Sequence, residues 1–163
     1  MKQVIHVLAV MGEGGHSKEL LRLVDLMGSE EYRYSYILAD KDQVTENKIR
    51  VSGPIYRIVR PGSVMSHKLA PLLKYPVCML QAVVALLRAR PDVVITSGPG
   101  VAVPACVVAK LMGSRVVFVE TGSRIYGLSL TGKLMRRVAD LYFVQWQELL
   151  PCAPGAVFAG RLF

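Results

Sequence analysis

The sequence predicts an α/β protein in which a doubly wound parallel sheet is wrapped by helices. Three observations carry that reading. Short β-branched runs bounded by Gly, Pro or Asp alternate along the chain with longer segments of helical periodicity, which is the pattern of successive βαβ units. The short runs are apolar at nearly every position, as strands buried on both faces are. The length of 163 residues suits one domain, since domains usually run ~100–200 residues and one of this size buries roughly 68–70% of its unfolded surface. Together these describe a single Rossmann-like domain over residues 1–163.

The elements follow in order. A first strand is expected at Val4–Val10 and a helix at Ser17–Met27, where Leu20, Leu23, Val24 and Met27 share one face while Lys18, Arg22 and Asp25 point elsewhere. Ser17 stands at the N-cap position and Gly28 where a C-terminal cap glycine belongs. Strands are expected at Tyr34–Ala39, Ile55–Val59, Val93–Thr96, Val116–Val119 and Leu141–Val144, with a short closing strand at Ala156–Ala159. Helices are expected near Asp42–Ile49, Pro76–Arg90, Val101–Met112 and Gly132–Val138. There is no internal repeat, low-complexity segment or linker.

The stretch Leu69–Arg90 approaches a transmembrane composition, since only Lys74 and Gln81 are strongly polar up to Leu87. Pro71 and Pro76 disfavour a regular helix interior, which puts the helix start near Pro76. Fifteen residues from Pro76 to Arg90 span ~22 Å, short of a ~30 Å hydrocarbon core. Lys74, Gln81 and Arg88 lie seven apart and form one narrow polar stripe. The segment reads either as a buried crossover helix or as a helix packed on the protein and dipping into a lipid interface.

Composition removes several classes. Hydrophobic residues at 52% and charged residues at 20% exclude disorder. Cys78, Cys106 and Cys152 show no CxxC spacing and no histidine pair, so neither a disulfide framework nor a metal site is expected, and a reducing compartment fits. Met1–Val4 runs straight into a strand with no signal-peptide pattern, which argues against secretion. Residues 1–46 carry five basic and eight acidic side chains, whereas residues 47–163 carry fifteen basic and four acidic. Such an excess points the later part of the chain toward an anionic partner. Nucleic acid is the weaker choice, because aromatics do not interleave with the basic residues as stacking platforms require.

Strands of a parallel sheet all end at one edge, so the loops after them converge there. After the first strand comes Gly12-Glu13-Gly14-Gly15-His16, after the fourth Ser97-Gly98-Pro99-Gly100, and after the fifth Glu120-Thr121-Gly122-Ser123-Arg124. Two of these open into helices, whose free N–H groups and dipole favour an anion. A dinucleotide reading fails on the fingerprint, since Ser17 replaces its third glycine, and no Walker lysine follows the glycines. His16 could bond a phosphate or act as a general base. Glu120 could orient a sugar hydroxyl or pair with Arg124 on its own loop, and the sequence does not separate the two. His6 reads as a core histidine.

These loops carry a resemblance. Gly12-Glu-Gly-Gly-His16-Ser-Lys-Glu-Leu, Arg90-Pro-Asp-Val-Val-Ile-Thr-Ser-Gly-Pro-Gly100, Val119-Glu-Thr-Gly-Ser-Arg124 with Leu128-Ser-Leu-Thr-Gly-Lys133, Asp140-Leu-Tyr-Phe-Val-Gln-Trp146 and Gly160-Arg161 occur in the order found in the asparagine-linked glycosylation protein 14 family. The chain is also similar to bacterial polysaccharide proteins of the PssD type and, more distantly, to the N-terminal half of MurG.

The resemblance implies one half of a GT-B glycosyltransferase, the half that meets the membrane and a polyprenyl-pyrophosphate-linked sugar. A separate catalytic subunit would bind the UDP-sugar, so the pair would form a heterodimer and this chain would hold no tight cofactor. Lipid-linked oligosaccharide or polysaccharide biosynthesis is the implied setting. Eukaryotic members carry an N-terminal anchor whereas this chain begins at its first strand, so peripheral association at the cytoplasmic face of a prokaryotic membrane is expected ahead of the endoplasmic reticulum.

Residue expectations follow from the two lines together. His16 and Glu120 are the expected catalytic pair, and Gly14, Gly15, Ser17, Ser97, Gly98, Gly100, Thr121 and Arg124 the acceptor and pyrophosphate contacts. Lys68, Leu72, Lys74, Leu80 and Arg88 are the expected membrane contacts. The tail from Ala156, with Gly160, Arg161, Leu162 and Phe163 foremost, is expected to dock on the partner, because free apolar ends are a liability. The competing reading is a membrane-recruitment scaffold with no acceptor pocket.

Overall fold

A computed structural model of the chain describes residues 4–12, 14–59, 69–99 and 102–162, with the backbone alone for residues 69–73. Lys68, Gly100 and Phe163 therefore lie outside the described residues, as does the side chain of Leu72.

Seven parallel strands form one sheet: β1 (Ile5–Val10), β2 (Tyr32–Ala39), β3 (Ile55–Ile58), β4 (Val93–Thr96), β5 (Arg115–Val119), β6 (Leu141–Val144) and β7 (Val157–Phe158). Their spatial order is β3-β2-β1-β4-β5-β6-β7, so the chain winds one way from β1 to β3 and the other way from β4. The switch point lies between β1 and β4, where Val7 pairs with Val93 and Val10 with Thr96. Open α/β sheets bind ligands beyond the carboxyl ends of the strands at such a crevice. Thr96 ties the two ends together, its Oγ1 donating to the Val10 carbonyl at 3.0 Å.

Most strand boundaries fall where expected. β2 begins two residues earlier, because Tyr32 and Arg33 pair with Ile5 and His6. The helices are α1 (Gly15–Met27), α2 (Gln43–Glu46), α3 (Leu69–Ala89), α4 (Ala102–Leu111) and α5 (Leu130–Met135). α2 is capped by Asp42, whose Oδ1 accepts from the Thr45 amide at 3.0 Å. α5 is capped by Ser129, whose Oγ accepts from the Gly132 amide at 2.8 Å; it therefore starts before the expected Gly132. A 3-10 segment at Gln147–Cys152 was not foreseen.

α3 requires a correction. It starts at Leu69 and carries Pro76 inside it. Pro76 sits on the exposed side of the helix, while Cys78, Ala82, Ala85 and Leu86 anchor the following turns in the core. Its 21 residues measure ~31 Å, so length no longer argues against a span. Packing does, because one face is core; separately, no helix among the described residues combines the length and apolar composition needed to cross a membrane.

Alternation along each strand divides the core into two layers. Leu8, Val10, Ile37, Val94, Val116, Phe118, Tyr142 and Val144 face α3, α4 and α5. Val7, Ala9, Tyr34, Tyr36, Leu38 and Ile95 face α1, which contributes Leu20, Leu21 and Val24. On this second face α1 does not reach across β5 and β6. Val117, Val119, Leu141 and Phe143 line an apolar groove of about 560 Å³, rimmed by Leu26 of α1 and by Ala159–Leu162 of the tail.

Candidate active-site crevice

The three loops meet at the carboxyl edge. Gly14 stands at the N-cap of α1 with φ +63°, a left-handed conformation that glycine enters freely. The helix follows at once, so the amides of Gly15, His16 and Ser17 lead it without an intrahelical carbonyl to bond. Ser17 is buried and donates its Oγ to the Gly12 carbonyl. It braces the loop from within, which corrects its expected place as N-cap. Gly14 and Ser17 also border an open crevice of about 520 Å³ with Lys18, Asp40, Lys41 and Lys48.

His16 bridges β1 to β4. Its Nδ1 lies 2.8 Å from the Ser97 carbonyl oxygen, and Ser97 returns a bond from Oγ to the His16 carbonyl at 2.8 Å. A carbonyl only accepts, so Nδ1 carries the proton and the neutral ring keeps its lone pair on Nε2. The ring is half-buried. Ser97 is buried, and the Gly98 amide turns back toward Thr96 Oγ1 at 3.4 Å.

Glu120 occupies a different place from the expected one. It is 0% exposed. Its Oε2 accepts from the Tyr142 hydroxyl at 3.0 Å and from the Ser129 amide at 3.2 Å, while Oε1 accepts from the Thr121 amide at 3.1 Å. The carboxylate is thus wired into the base of the loop and offers no surface to a sugar. Burial, and then the Glu120 charge, push the Tyr142 hydroxyl well above the usual phenol range, so it stays a donor. The pairing with Arg124 left open by the sequence is not made: Arg124 is exposed, and its amide closes a turn onto the Thr121 carbonyl at 3.1 Å.

Residues outside the expected set hold the loop. Glu19, one turn after His16 on α1, accepts from the Gly122 amide at 2.9 Å and from Thr121 Oγ1 at 3.2 Å. Gln145 and Trp146, just past β6, grip it from the other side. Gln145 Nε2 donates to the Glu120 carbonyl at 3.1 Å, and Trp146 Nε1 to the Gly122 carbonyl at 2.6 Å. Both signals were available in the sequence. Glu19 lies three residues from His16 and so on the same flank, and Gln145 follows a strand at the same edge as the other loops.

The tail is tied to this cluster. Leu162 donates its amide to Gln145 Oε1 at 2.9 Å, and the Arg161 guanidinium stacks 4.6 Å above the Trp146 ring. Gly160 and Arg161 are exposed. Of the expected membrane contacts that are described, Lys74, Leu80 and Arg88 are all exposed on α3. Gln81 leaves the proposed polar stripe: its Oε1 accepts from the Val59 amide at 2.7 Å.

A parallel sheet with its switch point between β1 and β4, and glycine-bearing loops at its carboxyl edge, is a doubly wound Rossmann-like architecture. The solved structures it resembles agree. MurG of Acinetobacter baumannii superposes with a TM-score of 0.75 at 23% identity, over 94% of this chain and 45% of that one. The UDP-GlcNAc 2-epimerase of Methanocaldococcus jannaschii gives 0.72 at 16% identity, over 96% of this chain and 46% of that one. The chain therefore spans just under half of each of these chains.

Within that class, residues 7–162 match the family model described as oligosaccharide biosynthesis protein Alg14 like, and the chain belongs to the Alg14 family. Similar relatives are the UDP-N-acetylglucosamine transferase subunits ALG14 of Mus musculus, 32% identical over 99% of this chain and 84% of the relative, and of Homo sapiens, 30% identical over the same shares. The chain is accordingly a glycosyltransferase subunit of oligosaccharide biosynthesis. These relatives are eukaryotic, so the expected preference for a prokaryotic membrane finds no support in them.

Proposed function

We propose that this chain is the acceptor-binding half of a two-chain glycosyltransferase that moves a sugar from a UDP-sugar to a polyprenyl-pyrophosphate-linked sugar. The observation that carries the proposal is the His16–Ser97 pair at the switch point. With Nδ1 donating to the Ser97 carbonyl, the neutral imidazole has Nε2 as its free acceptor, on a half-buried ring beside the Gly14 loop. Such a nitrogen can take the proton from an acceptor hydroxyl as it attacks the anomeric carbon of the donor, while the nucleoside diphosphate departs. The leading amides of α1 and the basic Lys18 and Lys41 side chains of the same crevice suit a pyrophosphate, and Arg124 offers an exposed charge on the loop after β5. Gly14, Gly15 and Gly98 bring backbone close to it. Ser17, Ser97, Thr121 and Glu120 act behind them as braces. The relatives' names favour UDP-N-acetylglucosamine as donor, held by the partner chain.

The outer face of α3 supports membrane association. Val77, Leu80 and Leu87 are 49%, 66% and 54% exposed, and Lys74 and Arg88 flank them with no acidic residue on the helix. That combination matches an interfacial helix over an anionic leaflet. The partner surface is proposed at the tail and the open face of β5 and β6 beside it, where apolar side chains lack a helix above them.

The test is glycosyl transfer to a short-chain polyprenyl-pyrophosphate sugar from a panel of UDP-sugars, with this chain alone and with the candidate partner. Transfer only in the mixture, lost in His16→Ala although the complex still forms, supports the proposal. Absence of transfer from every mixture, with vesicle binding intact, overturns it in favour of a recruitment scaffold.

A further inference from the structure

Gln145 and Trp146 are adjacent, and each reaches two ways. Gln145 is buried, with its amide nitrogen on the Glu120 carbonyl and its amide oxygen receiving the Leu162 amide. The chemistry fixes this orientation. A carbonyl demands a donor and an amide N–H demands an acceptor, so a flipped side chain would break both bonds. Trp146 donates to the Gly122 carbonyl through Nε1 while its ring carries the Arg161 guanidinium. The loop at residues 120–122 and the tail at 161–162 therefore share both of their anchors. On the far side the same loop rests on Glu19, whose Oε1 takes two bonds and whose Oε2 is buried with no hydrogen-bond partner among the described residues. Glu19 thus holds the loop from the α1 side, and Gln145 and Trp146 hold it from the β6 side.

We infer that Gln145 and Trp146 are positioning residues that couple the C-terminal tail to the acceptor loop, so that seating the tail on the partner chain sets the geometry of the loop. The catalytic consequence rests on the proposed function; the mechanical coupling does not. Coupling of this kind is reciprocal, and a partner that steadies the tail favours acceptor binding to the same extent that acceptor favours the partner. It gives a physical reason for an acceptor site that matures only in the assembled enzyme.

Two measurements test this. The first needs no ligand: amide hydrogen exchange of the full chain against a truncation after Ala159. Exchange at Gly122 and Ser123 is expected to quicken about tenfold in the truncation, with the β1 amides unchanged as the control for global stability. In a Gln145→Glu/Trp146→Phe background, where both connections to the loop are cut, the truncation should add nothing. Unchanged loop exchange on truncating the native chain overturns the inference, whether or not the double variant folds.

The second measurement uses the two-chain enzyme at saturating partner, with a short-chain polyprenyl-pyrophosphate N-acetylglucosamine as acceptor. Trp146→Phe should raise the acceptor KM about fivefold or more, within the usual span of coupled sites, and leave kcat within about twofold. A purely structural lesion would lower kcat through the active fraction and leave KM alone, and that result counts against the inference. If no mixture transfers sugar yet loop exchange still follows the tail, the coupling stands and the proposed reaction falls. Trp146 is the single tryptophan of the chain, so in the truncated chain with Trp146 intact its emission reports loop and tail beside the exchange measurement.

Discussion

His16 and Ser97 bond each other twice, ring Nδ1 to carbonyl oxygen and hydroxyl to carbonyl oxygen, both at 2.8 Å. The pair staples the first loop to the fourth strand across the switch point and decides which ring nitrogen is free. His16→Ala should reduce transfer in the two-chain mixture by about 10²–10⁴-fold, the usual range for a general base. Ser97→Ala keeps the carbonyl that orients the ring and removes one hydrogen bond, about 1 kcal/mol, so it should cost only a few-fold. Rates measured on complexes shown to be intact by gel filtration check both. Equal losses for the two variants would mean that the pair is only a staple.

Gly132 allows the Glu120 network to exist. A Cβ built there would run into Glu120 Oε2 and would lie 2.7 Å from the Tyr142 hydroxyl. In an ordinary helix interior Gly→Ala stabilises by about 0.5–1 kcal/mol. Here Gly132→Ala should instead destabilise by about 1–3 kcal/mol, because the three-bonded carboxylate has nowhere to go. Urea unfolding gives the sign directly. A more stable variant would show that Glu120 is free to move.

The same residues explain how far the sequence could be read. Val93–Thr96 and Leu141–Val144 were legible as strands because unbroken apolar runs between Asp and loop residues have few other solutions. Pro76 misled because local rules assign it a cost without knowing that Cys78 and Leu86 pin the following turns. Glu120 was found but misplaced: a lone acid after a strand looks available until Tyr142, 22 residues on, is seen to cap it. For Gln145 the sequence marks the place, just past a strand at the loop edge, but not the pairing: both ends of one amide are occupied at once, which spacing does not encode.

Acid stability should turn on His6. Burial, and next the charge of Arg33, hold its pKa below the ordinary 6.5, with Asp92 opposing more weakly. Its Nε2 lies 3.0 Å from Ser35 Oγ, and the side chain is buried. The folded state therefore binds the proton less readily than the unfolded chain. Stability is full above pH 6.5 and is lost as pH falls from there toward the folded value. Asp140 acts lower down: the Val116 amide, then Lys110, depress its carboxyl below the usual 3.8, so its contribution survives until the pH falls through that range. Tm measured from about pH 8 to pH 5 should fall more steeply for the native chain than for His6→Gln. Parallel slopes would place the titrating group elsewhere.

The outward stripe of α3 distinguishes lipid from a protein cover. Burying a leucine side chain is worth about 1.5–3 kcal/mol, so Leu80→Ser should weaken binding to phosphatidylserine-containing vesicles by about tenfold or more. Lys74→Gln and Arg88→Gln should each cost about 1 kcal/mol at low salt, and their effect should fade as added salt shortens the Debye length. Leu80→Ser should remain defective at high salt, since apolar insertion does not depend on screening. Cosedimentation across a salt series separates the two contributions. Vesicle binding that ignores all three variants, together with weaker assembly on the partner, would assign this helix face to the subunit interface and leave the lipid contact to be sought elsewhere.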